Sequence, residues 1–162
     1  MNRQQGKSGR AELESGISAD LRALTAESEQ IGQLFAGSQE VRPTDFRALL
    51  HIMVAETAGT PISPGELGQR MGLSGAGITY LVDRLIASGH VRRQDHASDR
   101  RKIVLRYAEL GLDTARAFFT PLQQHTHDAL AALPDADLTA ARRVFTALIA
   151  AMGRFRSELD AP

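Results

Sequence analysis

The strongest constraint on this chain is a run of helix-start and helix-stop signals in its middle third. Ser63-Pro64-Gly65-Glu66 reads as a helix start. The Ser63 hydroxyl can accept a backbone N–H, Pro64 stands where a missing N–H costs nothing, and Glu66 completes a capping box. Gly72 ends that helix after a short run. Ser74 then caps a second helix through about Ser88, whose Ile78, Leu81, Val82 and Leu85 recur at helical spacing, and Gly89 is its natural stop. Beyond Gly89 the apolar period changes from 3.6 to 2. Val91 opens a short strand, and Ile103, Leu105 and Tyr107 alternate with Lys102, Val104 and Arg106 in a second. The polar run from Gln94 to Arg101 between them predicts a β-hairpin with a long loop.

The flanks are helical. Leu21, Leu24, Ile31, Leu34 and Phe35 share a helical period over about Ala19–Phe35, and Gly37 and Ser38 end it. Pro43 suits a first turn, with Phe46, Leu49, Leu50 and Met53 lining one face until Gly59, Thr60 and Pro61 break the pattern. Two further helices are predicted, about Leu110–Leu133 and Asp137–Leu159. Pro121 should kink the first, and Pro134 separates the pair. Met1 to Gly16 is polar with scattered Gly and Ser and is expected to be mostly disordered. The expected fold class is therefore mainly α with a small β-hairpin: two short helices joined by a tight turn and followed by a charged hairpin, the order of a winged helix-turn-helix.

Composition removes several alternatives. The 162 residues contain no cysteine, which excludes disulfides, thiolate metal sites and thiol redox switching. No apolar run is long enough to span a bilayer, and the basic N-terminus has no apolar core behind it, so neither a membrane anchor nor a secretory signal is expected. A cytoplasmic protein is the expectation. Net charge is zero, yet it is unevenly spread. Residues 62–107 carry 8 basic and 4 acidic side chains, whereas residues 1–61 carry 6 and 8 and residues 108–162 carry 5 and 7. A basic centre in a neutral chain is the footprint expected of a nucleic-acid-binding lobe.

That lobe has a physical logic. A helix fits the major groove and offers the side chains of its first turns to base edges, while a basic hairpin tip reaches the neighbouring minor groove, whose negative potential attracts an Arg side chain. Across residues 63–111 the chain resembles the MarR (multiple antibiotic resistance regulator) family of winged-helix transcription regulators. SPGELGQRMGL at Ser63–Leu73 is similar to the family's positioning helix. Leu81–Leu85 (LVDRL), the G-x-V-x-R of Gly89–Arg93 and the DRR of Asp99–Arg101 are similar to its recognition helix and wing. The resemblance implies a double-stranded, pseudo-palindromic DNA partner, with Ser74, Gly75, Ala76, Thr79 and Tyr80 on the reading face and Asp99, Arg100, Arg101 and Lys102 at the wing. Arg101 takes the family's minor-groove position. Arg84 is read either as a phosphate contact or as a surface residue pairing with Asp83. The chain departs from the family pattern at Tyr80, where a basic residue is frequent, at Gly75 and Gly77 in the first turns, and at Ala108, where a capping Thr is common.

The resemblance also implies a homodimer paired through the first and last helices. Residues 17–42 and 108–162 are assigned to dimerisation and 43–107 to the DNA-binding lobe. Leu21, Leu24, Leu148, Ile149, Met152 and Phe155 are the expected interface residues. It further implies a ligand-responsive repressor, with a small aromatic or amphipathic effector near His51, Met53 and Phe118. The competing reading of His51, and the favoured one, is a hydrogen-bonded, partly buried histidine, and that of Phe118-Phe119 is core or interface. His125 and His127 point roughly 160° apart on a helix, whereas a shared metal wants i, i+4 spacing. With no phosphate loop, nucleophile elbow or HExxH string, no enzyme, metal or cofactor is expected. The alternatives are a winged-helix protein-interaction module without DNA binding and a small enzyme using the His125/His127 pair.

Overall fold

The computed structural model describes residues 2–97 and 99–159; the side chains of residues 2–8 and of Arg100 lie outside that description. The elements are α1 (Asn2–Ser38), α2 (Pro43–Thr57), α3 (Pro64–Met71), α4 (Gly75–Ala87), β1 (Val91–His96), β2 (Asp99–Tyr107), α5 (Glu109–Leu130) and α6 (Asp135–Leu159). Two compact units divide the chain, with the boundary between Phe118 and Phe119.

In the first unit the start and stop signals act as the sequence predicts. The capping box is complete: the Ser63 N–H donates to Glu66 Oε2 at 2.8 Å, and the Glu66 N–H donates to Ser63 Oγ at 3.3 Å. Those bonds to Ser63 hold the Glu66 carboxyl below the usual carboxylate range. Gly72 adopts φ 66, a left-handed turn that a side chain would strain, and the chain re-enters helix at Ser74, whose Oγ accepts the Gly77 N–H at 3.2 Å. Ile78, Leu81, Val82 and Leu85 of α4 are buried with Phe46, Leu49 and Ile52 of α2, Leu67 of α3, and Val91 and Leu105 of the hairpin. Burying each such side chain stabilises the lobe by about 1.5–3 kcal/mol relative to leaving it in water.

The antiparallel hairpin is stitched to the helices at its base. The Leu105 N–H donates to the Ile62 carbonyl at 2.8 Å, and the buried Tyr107 hydroxyl donates to the Leu49 carbonyl. Burial, and then the Glu56 charge, raise the Tyr107 phenol well above its ordinary value. Arg106 donates to Glu56 Oε1 at 3.0 Å, tying β2 to α2 a second time. Val104 is buried and Ile103 exposed, the reverse of the alternation read from the sequence. Both faces of β2 are covered at its base, so burial there follows height along the wing rather than residue parity.

The passage from β2 into α5 is tight. The Ala108 N–H donates to the His90 carbonyl at 2.9 Å. A Cβ built on Gly111 would stand 2.0 Å from that same carbonyl oxygen and 2.7 Å from the Tyr107 ring. Only hydrogen fits at position 111. Phe118, one face of α5 further on, closes an aromatic cluster with Phe35 of α1 and Phe46 of α2, with ring centroids 4.8–5.4 Å apart.

Two expectations are corrected in this unit. Residues 2–16 were expected to lack structure but form the first part of α1. Local bonds support that helix: Arg10 pairs with Glu14 at i, i+4, and Ser18 Oγ donates to the Glu14 carbonyl. The hairpin loop, expected to span Gln94–Arg101, is far shorter, since β1 reaches His96 and β2 begins at Asp99. Ladder hydrogen bonds are made by the backbone, so polar side chains did not prevent the strands from extending.

The second unit comprises the rest of α5 and α6. Helix continues on both sides of Pro121. No described residue of α6 is buried.

Candidate nucleic-acid interface

The two faces of α4 differ sharply. Its inner stripe is buried, whereas Ser74, Gly75, Ala76, Thr79 and Tyr80 are all exposed. Ser74 spends an acceptor position on the cap, and Thr79 Oγ1 donates to the Gly75 carbonyl at 2.9 Å, so both hydroxyls are oriented by the backbone. The small residues at 75 and 76 leave the first turn bare. Tyr80, 66% exposed, is the largest group on that face.

The hairpin register explains how the basic triplet is displayed. Asp95 pairs with Ile103 and His96 with Asp99, with a register irregularity between Asp95 and His96. Residues 100–102 therefore fall in the stretch of β2 that has no matched partner on β1. Asp99 Oδ1 accepts the Arg101 backbone N–H at 3.1 Å. Asp99 thus shapes the Arg101 backbone, and its carboxylate does not pair with the guanidinium. Arg101 and Lys102 are both exposed. The side chain of Arg100 lies outside the described residues. Arg93 NH2 donates to Asp83 Oδ1 at 2.9 Å, bracing β1 against α4.

Arg84 does not pair with Asp83, as one reading of the sequence had it; its partner is on α2. Its Nε donates to Asp45 Oδ2 at 2.9 Å and its terminal nitrogen to Asp45 Oδ1, a two-pronged bridge to α2. Both side chains are largely withdrawn from water, 23% exposed for Arg84 and 9% for Asp45. A buried carboxylate needs such a partner, and the bridge raises the Arg84 guanidinium still further above its ordinary value. The Arg84 guanidinium carbon also sits 5.1 Å from the centre of the Tyr80 ring. The sequence held one signal for this pair: Asp45 lies four residues before Leu49 and seven before Ile52, on the apolar face of α2.

The residues expected near an effector fall in different settings. Phe118 is committed to the aromatic cluster. His51 is half-buried, and desolvation, followed by the charges of Arg70 and Arg47, lowers its imidazole. A hollow of about 520 Å³ between α1 and α2 is lined by Gly32, Pro43, Phe46, Arg47 and Leu50 among others, and not by His51, Met53 or Phe118. Among the described residues no group of three or more His, Cys, Asp or Glu is placed to hold a metal ion, and no helix is long and apolar enough to cross a membrane.

Comparison with known proteins agrees with this architecture. A family model described as MarR family matches residues 40–102. YcgE, an uncharacterized HTH-type transcriptional regulator of Bacillus subtilis, is 32% identical over 122 residues, which are 75% of this chain and 77% of YcgE. A MarR family protein from Bacillus stearothermophilus shares the fold with a TM-score of 0.64 at 22% identity, over 88% of this chain and 97% of that one. The S. aureus MepR–DNA complex does so with a TM-score of 0.56 at 12% identity, over 83% and 95%. The winged helix-turn-helix, its basic wing and these likenesses together place the chain in the MarR family of transcription regulators.

Proposed function

We propose that the protein is a homodimeric, sequence-specific DNA-binding regulator acting as a ligand-released repressor. The observation that carries the reading is the division of α4: one face closed into the core, the other bare except for capping hydroxyls and Tyr80, with a hairpin after it on which Arg101 and Lys102 are exposed. In this reading α4 enters the major groove. Gly75 and Ala76 allow close approach of the backbone, Tyr80 touches base edges or a thymine methyl, and Arg101 enters the minor groove. MepR, which shares the fold, has been crystallised with DNA. Two copies paired through apolar stripes on α1 and α6 would set half-sites about 10–10.5 base pairs apart.

The effector seat is the hollow between α1 and α2. Its lining mixes Phe46, Leu50 and Pro43 with Glu29 and Arg47, which suits an amphipathic molecule. Such a ligand releases DNA only by favouring the non-binding spacing of the two lobes.

The test uses two duplexes, one enriched by the wild-type protein from a random-sequence pool and one scrambled version of it, titrated by fluorescence polarisation across salt. Arg101→Ala is expected to weaken binding to both and to flatten the salt slope by about one unit. Tyr80→Ala is expected to leave the slope nearly unchanged and to shrink the preference for the enriched duplex. An Arg101→Ala protein with wild-type affinity and slope would make the hairpin an ordinary solvated loop.

A further inference from the structure

We propose that Asp45, on α2, is a positioning residue for sequence readout: by gripping the Arg84 guanidinium it holds that group under the Tyr80 ring and so sets the orientation in which α4 presents Tyr80. The inference rests on the DNA-binding reading above and adds to it a residue from outside the reading helix.

Tyr80 and Arg84 are one helical turn apart, so they share a face of α4. An exposed tyrosine on a helix ordinarily samples several rotamers, and binding DNA in one of them has an entropic cost. A guanidinium lying 5.1 Å from the ring centre favours the rotamer that stacks on it. An arginine on a surface helix is mobile too, and would give the ring little guidance. Here it is not mobile. Asp45 takes two prongs of its fork, and the bridge is mostly shielded from solvent. The fork geometry fixes the guanidinium plane as well as its position, which a lysine ammonium would not do. The chain of contacts therefore runs from the buried carboxylate of Asp45, through a planar cation, to the one large side chain on the reading face. The arrangement accounts for a charged residue on the apolar side of α2. It also gives Arg84 a use besides phosphate contact, since two of its nitrogens already donate to Asp45.

The experiment compares Asp45→Asn with the wild type, and adds Arg84→Lys in case the asparagine variant folds poorly. On the enriched and scrambled duplexes, each variant should lose about fivefold of the preference between the two, the scale of one cation–π contact. Affinity for the scrambled duplex and the salt slope should stay as in the wild type. Combined with Tyr80→Ala, neither variant should lose preference further, since all act through the same ring. A second readout needs no DNA. In ¹H–¹⁵N spectra the Arg84 side-chain Nε–H should be exchange-protected in the wild type and shifted by the Tyr80 ring current, and Asp45→Asn or Arg84→Lys should move the Tyr80 ring resonances.

Full preference in both folded variants, or losses additive with Tyr80→Ala, would overturn the proposal. So would Tyr80 resonances indifferent to both substitutions. Failure of the wild type to bind either duplex would break the DNA-binding reading instead, and the Tyr80 and Arg84 resonances would then decide the positioning role by themselves.

Discussion

α4 and α6 are both amphipathic helices, and they end in opposite states. In α4 the whole apolar stripe is buried among residues of α2, α3 and the hairpin. In α6 the residues Phe145, Ile149, Met152, Phe155 and Leu159 recur at helical spacing and all remain exposed, Ile149 to 69% and Phe155 to 60%. The difference separates a part of the chain that is complete by itself from a part that is not. A run of large apolar side chains this long is stable in water when another surface covers it. In the homodimer reading that surface is the same set of residues on a second copy, and Leu21, Leu24 and Leu148 are the other residues expected to pair.

The largest effect is expected where the comparison is most exposed to failure. Ile149→Glu together with Met152→Glu places two charges in the α6 stripe and should weaken dimerisation by about a thousandfold. Light scattering across a concentration series checks this, with the far-UV spectrum expected to be unchanged. A variant still dimeric at low concentration would mean that the stripe is covered in some other way.

The next effect sharpens the other half of the comparison. Gly111→Ala forces a methyl group into the His90 carbonyl and the Tyr107 ring and should destabilise the lobe by about 3 kcal/mol in urea unfolding. A loss near zero would show that this joint can yield, and the lobe would be less complete than its contacts imply.

The smallest effect is a pH dependence of stability. Burial lowers the imidazoles of both His51 and His90 from their ordinary value of 6.5. The unfolded chain therefore binds more protons than the native one between the lowered values and 6.5. Stability is full above pH 6.5 and is lost as pH falls through that window. The urea midpoint should drop between about pH 7.5 and pH 5.5, and His90→Gln should flatten part of the drop. An unchanged slope in that variant would remove His90 from the account.

The sequence was most legible where structure is decided by neighbouring residues. Ser63 with Glu66, Gly72, Ser74 and Gly89 each settle a helix end through bonds or dihedrals within a few positions, and each does so in the structure. The exposed face of α4 follows from the same local pattern. The length of the wing is not legible in the sequence, because a polar run reads as loop whereas strand pairing is indifferent to side-chain polarity. The Asp45–Arg84 bridge joins residues 39 apart in sequence, and periodicity alone could report only that an acid had fallen on an apolar face. Nothing within a few positions of Arg84 points to its partner on α2.

The Gly111 joint also works as a lever. With no room for a side chain between the His90 carbonyl and the start of α5, the wing base and the first turn of that helix are in direct contact, and in the DNA-binding reading they would turn together. From Glu109 to Phe118 the helix makes an arm of about 13 Å, so a turn of about 5° at the wing base swings its far end sideways by about 1 Å. At that end stands the Phe118 ring, edge-on to Phe46, and Phe46 lines the hollow between α1 and α2. In the proposed ligand-released repressor, a wing that tilted on DNA would press on the wall of the hollow, and a molecule filling the hollow would press back.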